Sequence, residues 1–456
     1  MNNLFGTDGI RSSVGSFPLT YDGMPKLGQA IGTWMKRKYV HTPRVLIAED
    51  SRLSGPMLKH SIISGLTRYP IKVYDAGILT TPAVFQLVQK QQLFDCGIII
   101  SASHNSYDDN GIKIVNRTTG RILARDEKAI TEILCQRDFH PINYKLLGAV
   151  KTFQEAKNKY KACLKNYFEP NFLSGKTVAL DCANGATSFL AREIFEEFGA
   201  TVFVTKDRPN GRNINLECGS TYTESIRKFT LLKKADIGFS FDGDGDRVFI
   251  CTKDGTIRDG DEILAVLLTN AAFKNERAVV STNMSNLGFS EFVRSKKLEH
   301  LTSNVGEKAV ITKLIHEGLL LGGEPSGHVI MRDYLSCSDS IFVALRSLET
   351  IITTNNWNAY SFKKYPQTLI NLPIKVKHNL KQEPFNSLLL KYKLKAKDER
   401  IVVRYSGTEP VLRVMVESKN GNQKAIAEQF VEEYRSLEKG IKNQISTKKV
   451  VHAQTI

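Results

Sequence analysis

The chain has 456 residues, in which 63 Lys+Arg outweigh 47 Asp+Glu for a formal net charge of +16, and 41% of it is hydrophobic. At roughly 150 residues per domain this length predicts about three domains, each large enough to bury its own core. Charged residues at 24% and aromatics at 9% match ordinary globular usage, which excludes a disordered or low-complexity chain.

In chain order, Arg44-Val-Leu-Ile-Ala predicts a strand, residues 56–68 a helix, residues 71–74 a second strand, Thr81-Pro82 the start of a helix, and residues 96–101 a third strand. Apolar runs of this kind, punctuated by Gly and Pro and separated by helices, predict a parallel sheet covered on both faces. The pattern returns with strands at 177–181, 201–204 and 237–241 around helices at 188–198 and near Glu224. It returns again with strands at 278–281 and 319–322 around helices at 289–297 and 309–316. After a linker near 355–368 the pattern changes to strands at 374–377, 401–404 and 412–416 and one long helix over 423–439. The expected fold class is α/β: three similar α/β domains with mixed or parallel sheets (1–155, 156–255 and 256–366) and a smaller C-terminal α+β domain (367–456).

The basic excess is uneven, since residues 371–456 hold 17 Lys+Arg against 9 Asp+Glu. Such a surplus suits a polyanion, an anionic small substrate or plain solubility; no DNA or RNA recognition motif accompanies it, so no nucleic-acid partner is expected. The cysteines (Cys96, Cys135, Cys163, Cys182, Cys218, Cys251, Cys337) show no C-x-x-C spacing, which disfavours a zinc site or disulfide framework and fits a reducing compartment. The first residues lack an apolar leader core and no stretch nears the ~18 apolar residues of a membrane helix, so a cytoplasmic location without a membrane partner is expected.

Ligands of open α/β sheets bind beyond the C-terminal ends of strands, and each α/β unit carries an unusual loop there. In Asp242-Gly-Asp-Gly-Asp-Arg, the carboxylates of Asp242, Asp244 and Asp246 repel one another, and a hard divalent cation, Mg²⁺ before Ca²⁺ or Mn²⁺, relieves the repulsion. The loop is not an EF-hand, because its sixth and twelfth positions are Arg247 and Lys253. A solvated acidic turn is the plain alternative. Three aspartates leave a hard cation short of ligands, and a phosphorylated Ser103 would supply another. Ser103 is followed by His104, but successive residues of an extended backbone point opposite ways, so His104 is expected to be a poor base for it and a hydrolase triad is not expected. The third loop holds Glu324, Ser326 and His328, alternate residues that share one side of an extended segment, with groups suited to sugar hydroxyls and proton transfer. Arg404, Ser406, Gly407 and Thr408, with Arg413 on the next strand, have the composition of a phosphate clamp, the alternative being an ordinary hairpin turn.

Together these loops resemble the α-D-phosphohexomutase superfamily, above all its branch acting on glucosamine phosphates. The matching segments span nearly the whole chain: Phe5-Gly-Thr-Asp-Gly-Ile-Arg, Asp50-Ser-Arg-Leu-Ser-Gly, Ser101-Ala-Ser-His-Asn, Asp181-Cys-Ala-Asn-Gly-Ala, Asn213-Ile-Asn, Cys218-Gly-Ser-Thr, the aspartate loop, Met284-Ser-Asn-Leu-Gly, Gly323-Glu-Pro-Ser-Gly-His and Arg404-Tyr-Ser-Gly-Thr-Glu-Pro. The resemblance implies four domains around a central cleft, with a phosphoserine at Ser103 and one Mg²⁺ per chain held by Asp242, Asp244, Asp246 and that phosphoserine. It implies that Glu324 and Ser326 hold the sugar and that Arg404, Ser406, Gly407 and Thr408 hold the unreacting phosphate. Arg11, Lys113, Arg247 and His328 fall near the phosphoserine, Lys113 and His328 as acid/base groups. The implied reaction converts glucosamine 6-phosphate to the 1-phosphate through glucosamine 1,6-bisphosphate; a phosphomannomutase or phosphoglucomutase is the alternative, and a non-catalytic sugar-phosphate binder a more distant one. The expected partner is a small sugar phosphate, and a homodimer is allowed. Ser106 stands where the family commonly has Pro, Pro325 where glucosamine mutases commonly have Gln, and Gly306-Glu-Lys where Gly-Asp-Arg is usual.

Overall fold

The computed structural model describes residues 4–6, 8–136, 144–360, 362–395, 399–405 and 410–453. The chain forms two compact units, Met1–Thr282 with Val293–Ser361, and Asn283–Phe292 with Phe362–Ile456.

The first unit holds three sheets. In the first, the strands run in the order Ile10–Ser13, Asp109–Asn116, Cys96–Ile100, Arg44–Glu49, Lys72–Ile78, Ala149–Thr152, with Gly120–Arg121 paired to Asp109–Asn116. The second runs Ile257–Arg258, Val248–Thr252, Ile237–Phe241, Thr177–Asp181, Thr201–Thr205. The third runs Glu299–Ser303, Ala278–Thr282, Leu321–Gly323, Val329–Met331. Every residue of Cys96–Ile100 and Ile237–Phe241 is buried, as expected of strands covered on both faces.

The sheets are mixed, one of the two arrangements expected. In each, a central parallel strand turns back into an antiparallel neighbour: Cys96–Ile100 into Asp109–Asn116, Ile237–Phe241 into Val248–Thr252, and Leu321–Gly323 into Val329–Met331. The intervening loops, 101–108, 242–247 and 324–328, are too short for a parallel crossover, which needs a dozen residues or more. All three predicted site loops therefore occupy the same place in their sheets. The segment read as one helix over 188–198 is a 3₁₀ turn, Ala186–Phe189, followed by an α-helix, Ala191–Glu197. The helix Gly23–Lys38 and the edge strand Glu299–Ser303 were not anticipated.

The second unit has a three-stranded antiparallel sheet in the order Gln367–Pro373, Val411–Ser418, Glu399–Tyr405, packed on the helices Phe385–Lys395 and Gln423–Ala453. The strand expected at 374–377 instead spans Gln367–Pro373, starting at the end of the stretch read as linker. Leu372 faces the core there, whereas Val376, in the Ile-Lys-Val-Lys stretch that mimics strand alternation, is exposed. The helix Phe385–Lys395 was also missed.

Candidate active site

Ser103 follows the buried strand Cys96–Ile100 and is itself fully buried. Its backbone is left-handed, with φ of 54°, rather than extended. That turn sends Oγ across to the second sheet's loop, where it donates to Asp242 Oδ2 at 2.7 Å. It also brings His104 Nδ1 to 3.3 Å from Oγ, which corrects the expectation that the two side chains diverge. His104 is nonetheless neutral: burial, and then the cations Arg247 and Arg11, push its pKa down to about 2.

The aspartate loop meets the serine loop backbone to backbone. A Cβ on Gly243 would lie 2.6 Å from the Ser103 carbonyl oxygen, so only glycine permits this approach. Asp242 Oδ1 accepts the backbone N–H groups of Gly245, Asp246 and Arg247 at 3.0–3.1 Å, folding the loop around its first carboxylate. Asp242, Asp244 and Asp246 are all buried, and one oxygen from each lies within 4.8 Å of the others. Burial, Asp246 and Asp244 together push the Asp242 pKa well up. For Asp246, burial acts in the same sense but is outweighed by Lys113, His328 and Arg247, which hold it well below the usual carboxylate range.

Thr81 Oγ1 and Lys113 Nζ donate to Asp244 Oδ2, and Lys113 also reaches Asp246 Oδ2 at 2.9 Å and Asp8 at 3.0 Å. Lys113 is 1% exposed; burial disfavours its charge, but Asp244, Asp246 and Asp8 prevail and keep it an ammonium. The other oxygens, Asp244 Oδ1 and Asp246 Oδ1, are buried without a hydrogen-bond donor. Clustered carboxylates with orphaned oxygens and no nitrogen or sulfur donor fit a hard, oxygen-seeking cation.

Asp8 joins several cations, pairing with Arg11 at 2.9 Å, with Lys113 and with Arg121, which also reaches Glu307 of the third sheet's domain. From the third sheet's loop, His328 Nε2 accepts Arg247 Nε at 3.0 Å, and its Nδ1 stands 3.7 Å from Asp246 Oδ1. That loop is turned rather than extended, with Gly327 at φ 95° and its N–H on the Glu324 carbonyl, while the Glu324 N–H bonds the His328 carbonyl at 2.8 Å. Glu324 Oε1 accepts the Gly306 N–H at 2.9 Å. The loop rests on the N-terminus of the helix Gly260–Leu267, where Asp259 and Glu262 form a capping box. A Cβ on Gly260 would fall 1.9 Å from the Glu324 carbonyl oxygen. Gly260→Ala is expected to lower stability by about 1–3 kcal/mol, the scale of overpacking against backbone that cannot yield, as read by urea denaturation.

Ser103, Lys113, the three aspartates, Arg247 and His328 thus form one connected cluster, joined through Asp8 to Arg11. In the second unit Arg404 and Arg413 sit directly opposite each other on adjacent antiparallel strands. Ser406, Gly407 and Thr408 lie outside the described residues. Asp8, Asp50, Arg52, Thr81, Arg121, Asn215 and Glu307 were not singled out from the sequence. Four of these stand in segments that carried the resemblance, Asp8 beside Arg11, Asp50 and Arg52 in Asp50-Ser-Arg, and Asn215 in Asn213-Ile-Asn, and their position in those segments was the available signal.

In three α/β domains, equivalent hairpin loops thus bring together a serine, an aspartate cluster and a histidine. Residues 2–141, 158–255 and 259–366 match the phosphoglucomutase/phosphomannomutase alpha/beta/alpha domains I, II and III, and residues 392–436 match the C-terminal domain. The chain is 37% identical over 429 residues to a phosphoglucosamine mutase of Wolinella succinogenes, covering 92% of this chain and 95% of that one. It is 36% identical over 452 residues to the Fusobacterium nucleatum phosphoglucosamine mutase, covering 96% and 99%. A phosphoglucomutase/phosphomannomutase family protein from Burkholderia thailandensis shares the fold at a TM-score of 0.77 and 23% identity, over 97% of this chain and 98% of that one. So does Aspergillus fumigatus N-acetylphosphoglucosamine mutase, solved with GlcNAc-6P and magnesium, at a TM-score of 0.62, 15% identity and 95% of both chains. The chain belongs to the phosphoglucomutase/phosphomannomutase family and is an intramolecular phosphotransferase. Among the described residues no helix is long and apolar enough to cross a membrane.

Proposed function

We propose that the chain interconverts glucosamine 6-phosphate and glucosamine 1-phosphate, in the cytoplasm, through a phosphoserine at Ser103 and glucosamine 1,6-bisphosphate. The observation that carries this is the Ser103 hydroxyl aimed 2.7 Å from Asp242 at a buried aspartate cluster, in a chain whose full-length relatives are phosphoglucosamine mutases. In the first half-reaction the Ser103 Oγ–P bond breaks as a bond forms from phosphorus to the sugar's free hydroxyl oxygen. That hydroxyl's proton passes to a base, and Ser103 Oγ takes one up. The bisphosphate turns end for end and the steps run backwards on the other phosphate.

Phosphoryl transfer depends on in-line positioning and on neutralising the equatorial oxygens. Arg11 and Arg247 supply positive charge beside the serine. Lys113, held as an ammonium by three carboxylates, adds positive charge to the cluster, and Lys113 and His328 are the groups assigned to the proton transfers. Asp242, Asp244 and Asp246, with the phosphoserine, would hold Mg²⁺, which when bound adds charge neutralisation at the transferring group. Glu324 and Ser326 are assigned to the sugar, and Arg404, Arg413, Ser406, Gly407 and Thr408 to the phosphate that does not react. Each of the four domains, divided near residues 155, 255 and 366, contributes one of these loops.

Turnover of glucosamine, glucose and mannose 6-phosphates tests the sugar assignment. Glucosamine 6-phosphate is expected to give a kcat/KM higher by about 10-fold or more, since a site built around a polar substituent rejects analogues lacking it. Were it the poorest of the three, the phosphomannomutase/phosphoglucomutase alternative would replace this reading.

A further inference from the structure

The segment Asp50–Ser54 follows the strand Arg44–Glu49 and lies beneath the serine loop. Arg52 is 1% exposed and ends a run of buried residues that begins at Val45. Its Nε donates to Asp50 Oδ2 at 2.9 Å, Nη2 donates to the carbonyls of Ser103 at 3.0 Å and Asn105 at 2.8 Å, and Nη1 donates to the carbonyls of Asp109 at 2.9 Å and Ser106. A guanidinium has five N–H groups in a rigid fork, and here there are five acceptors, three of them backbone carbonyls of the serine loop and one the carbonyl of Asp109 at the start of the following strand. The N–H side of Ser103 is pinned from the same place. Asp50 Oδ2 accepts Ser101 Oγ at 2.6 Å, and Ser101 Oγ accepts the Ser103 N–H at 2.8 Å. From the second sheet's domain, Asn215 Nδ2 donates to the Ser103 and Asn105 carbonyls at 2.9 and 3.0 Å.

Both peptide groups flanking Ser103 are therefore fixed, and the residue between them has the positive φ that a serine rarely adopts. Such a conformation persists only where its surroundings over-determine it. Proline does not stiffen this loop, because position 106 is serine. We infer that Arg52, supported by Asn215, is the positioning residue that holds Ser103 in its left-handed turn and so sets the line of phosphoryl transfer. The inference rests on the mutase reading above. It assigns to Arg52 no contact with substrate, since its donors are all engaged by the loop and Asp50.

Two variants of the full chain test it, Arg52→Lys and Asn215→Gly. Lysine keeps a cation against Asp50 but loses the fork that spans two pairs of carbonyls. Glycine removes the Asn215 amide while accepting that residue's own φ of 57°. The measurements are thermal unfolding, kcat and KM for the hexose phosphate, and the rate of Ser103 phosphorylation from a hexose 1,6-bisphosphate. For folded Arg52→Lys, kcat and phosphorylation rate are expected to fall about 10²-fold with KM within about twofold of wild type, the signature of misplacing the reacting atom. For Asn215→Gly the same split is expected, with a fall of about 10-fold. A folded Arg52→Lys with wild-type kcat, or a loss carried by KM, overturns the assignment. If Arg52→Lys does not fold, Asn215→Gly decides it, and an unchanged kcat there overturns it. A wild-type chain without mutase turnover removes the mutase reading and this assignment together, whereas an active wild type with unimpaired variants removes only this one.

Discussion

Ser103→Ala is expected to reduce mutase turnover by about 10⁴-fold or more, the scale on which losing a covalent nucleophile acts. Oγ is buried and donates to Asp242. His104 contributes a neutral ring beside it, and Arg52 and Asn215 hold its carbonyl. Alanine keeps this backbone and removes the one atom that carries the phosphoryl group. His328 acts on protons, where general acid/base assistance contributes about 10²–10⁴-fold, so His328→Asn should leave more residual activity than Ser103→Ala. The accompanying measurement is a phosphosite map of the purified wild-type chain. Phosphate found only on another residue, or full turnover by Ser103→Ala, would remove the mechanism.

What was readable in advance follows from how each feature is encoded. Cys96–Ile100 and Ile237–Phe241 are continuous apolar runs, and the loops after them are conspicuous because Gly, Ser and Asp are dense where a buried strand stops. The returning strand Asp109–Asn116 was missed because Asp-Asn-Gly opens it and Lys113 interrupts it, and both features read as loop. Yet that lysine is buried against three carboxylates, a stabilisation that exists only once two domains meet. Beyond its place in Asp50-Ser-Arg, the role of Arg52 was not legible, since arginine is an exposed residue in any one-dimensional pattern. The expected direction of the His104 side chain failed on a single dihedral, while His104 remains a poor base. A positive φ at serine has no sequence signal comparable to glycine's, and it reverses which neighbours face each other.

Asp242→Asn is expected to separate stability from activity. Asparagine preserves the shape of the turn, and its Oδ1 can still accept the N–H groups of Gly245, Asp246 and Arg247. Burial and the neighbouring Asp246 and Asp244 disfavour charge at this position, so removing that charge should leave the cation-free protein at least as stable as wild type. The opposite holds with the cation present. A ligand that binds only the folded state at about 100 times its Kd adds about 2.7 kcal/mol, so saturating Mg²⁺ should stabilise wild type by that order and Asp242→Asn hardly at all. Turnover should vanish in parallel, both in Asp242→Asn and in wild type treated with a chelator, and return to wild type alone when Mg²⁺ is restored. Urea denaturation with and without Mg²⁺ reads the first effect independently of catalysis. Equal Mg²⁺ stabilisation of the two proteins would place the cation elsewhere, and an unstable cation-free Asp242→Asn would mean that the carboxylate's hydrogen bonds, rather than its repulsion from Asp244 and Asp246, dominate this loop.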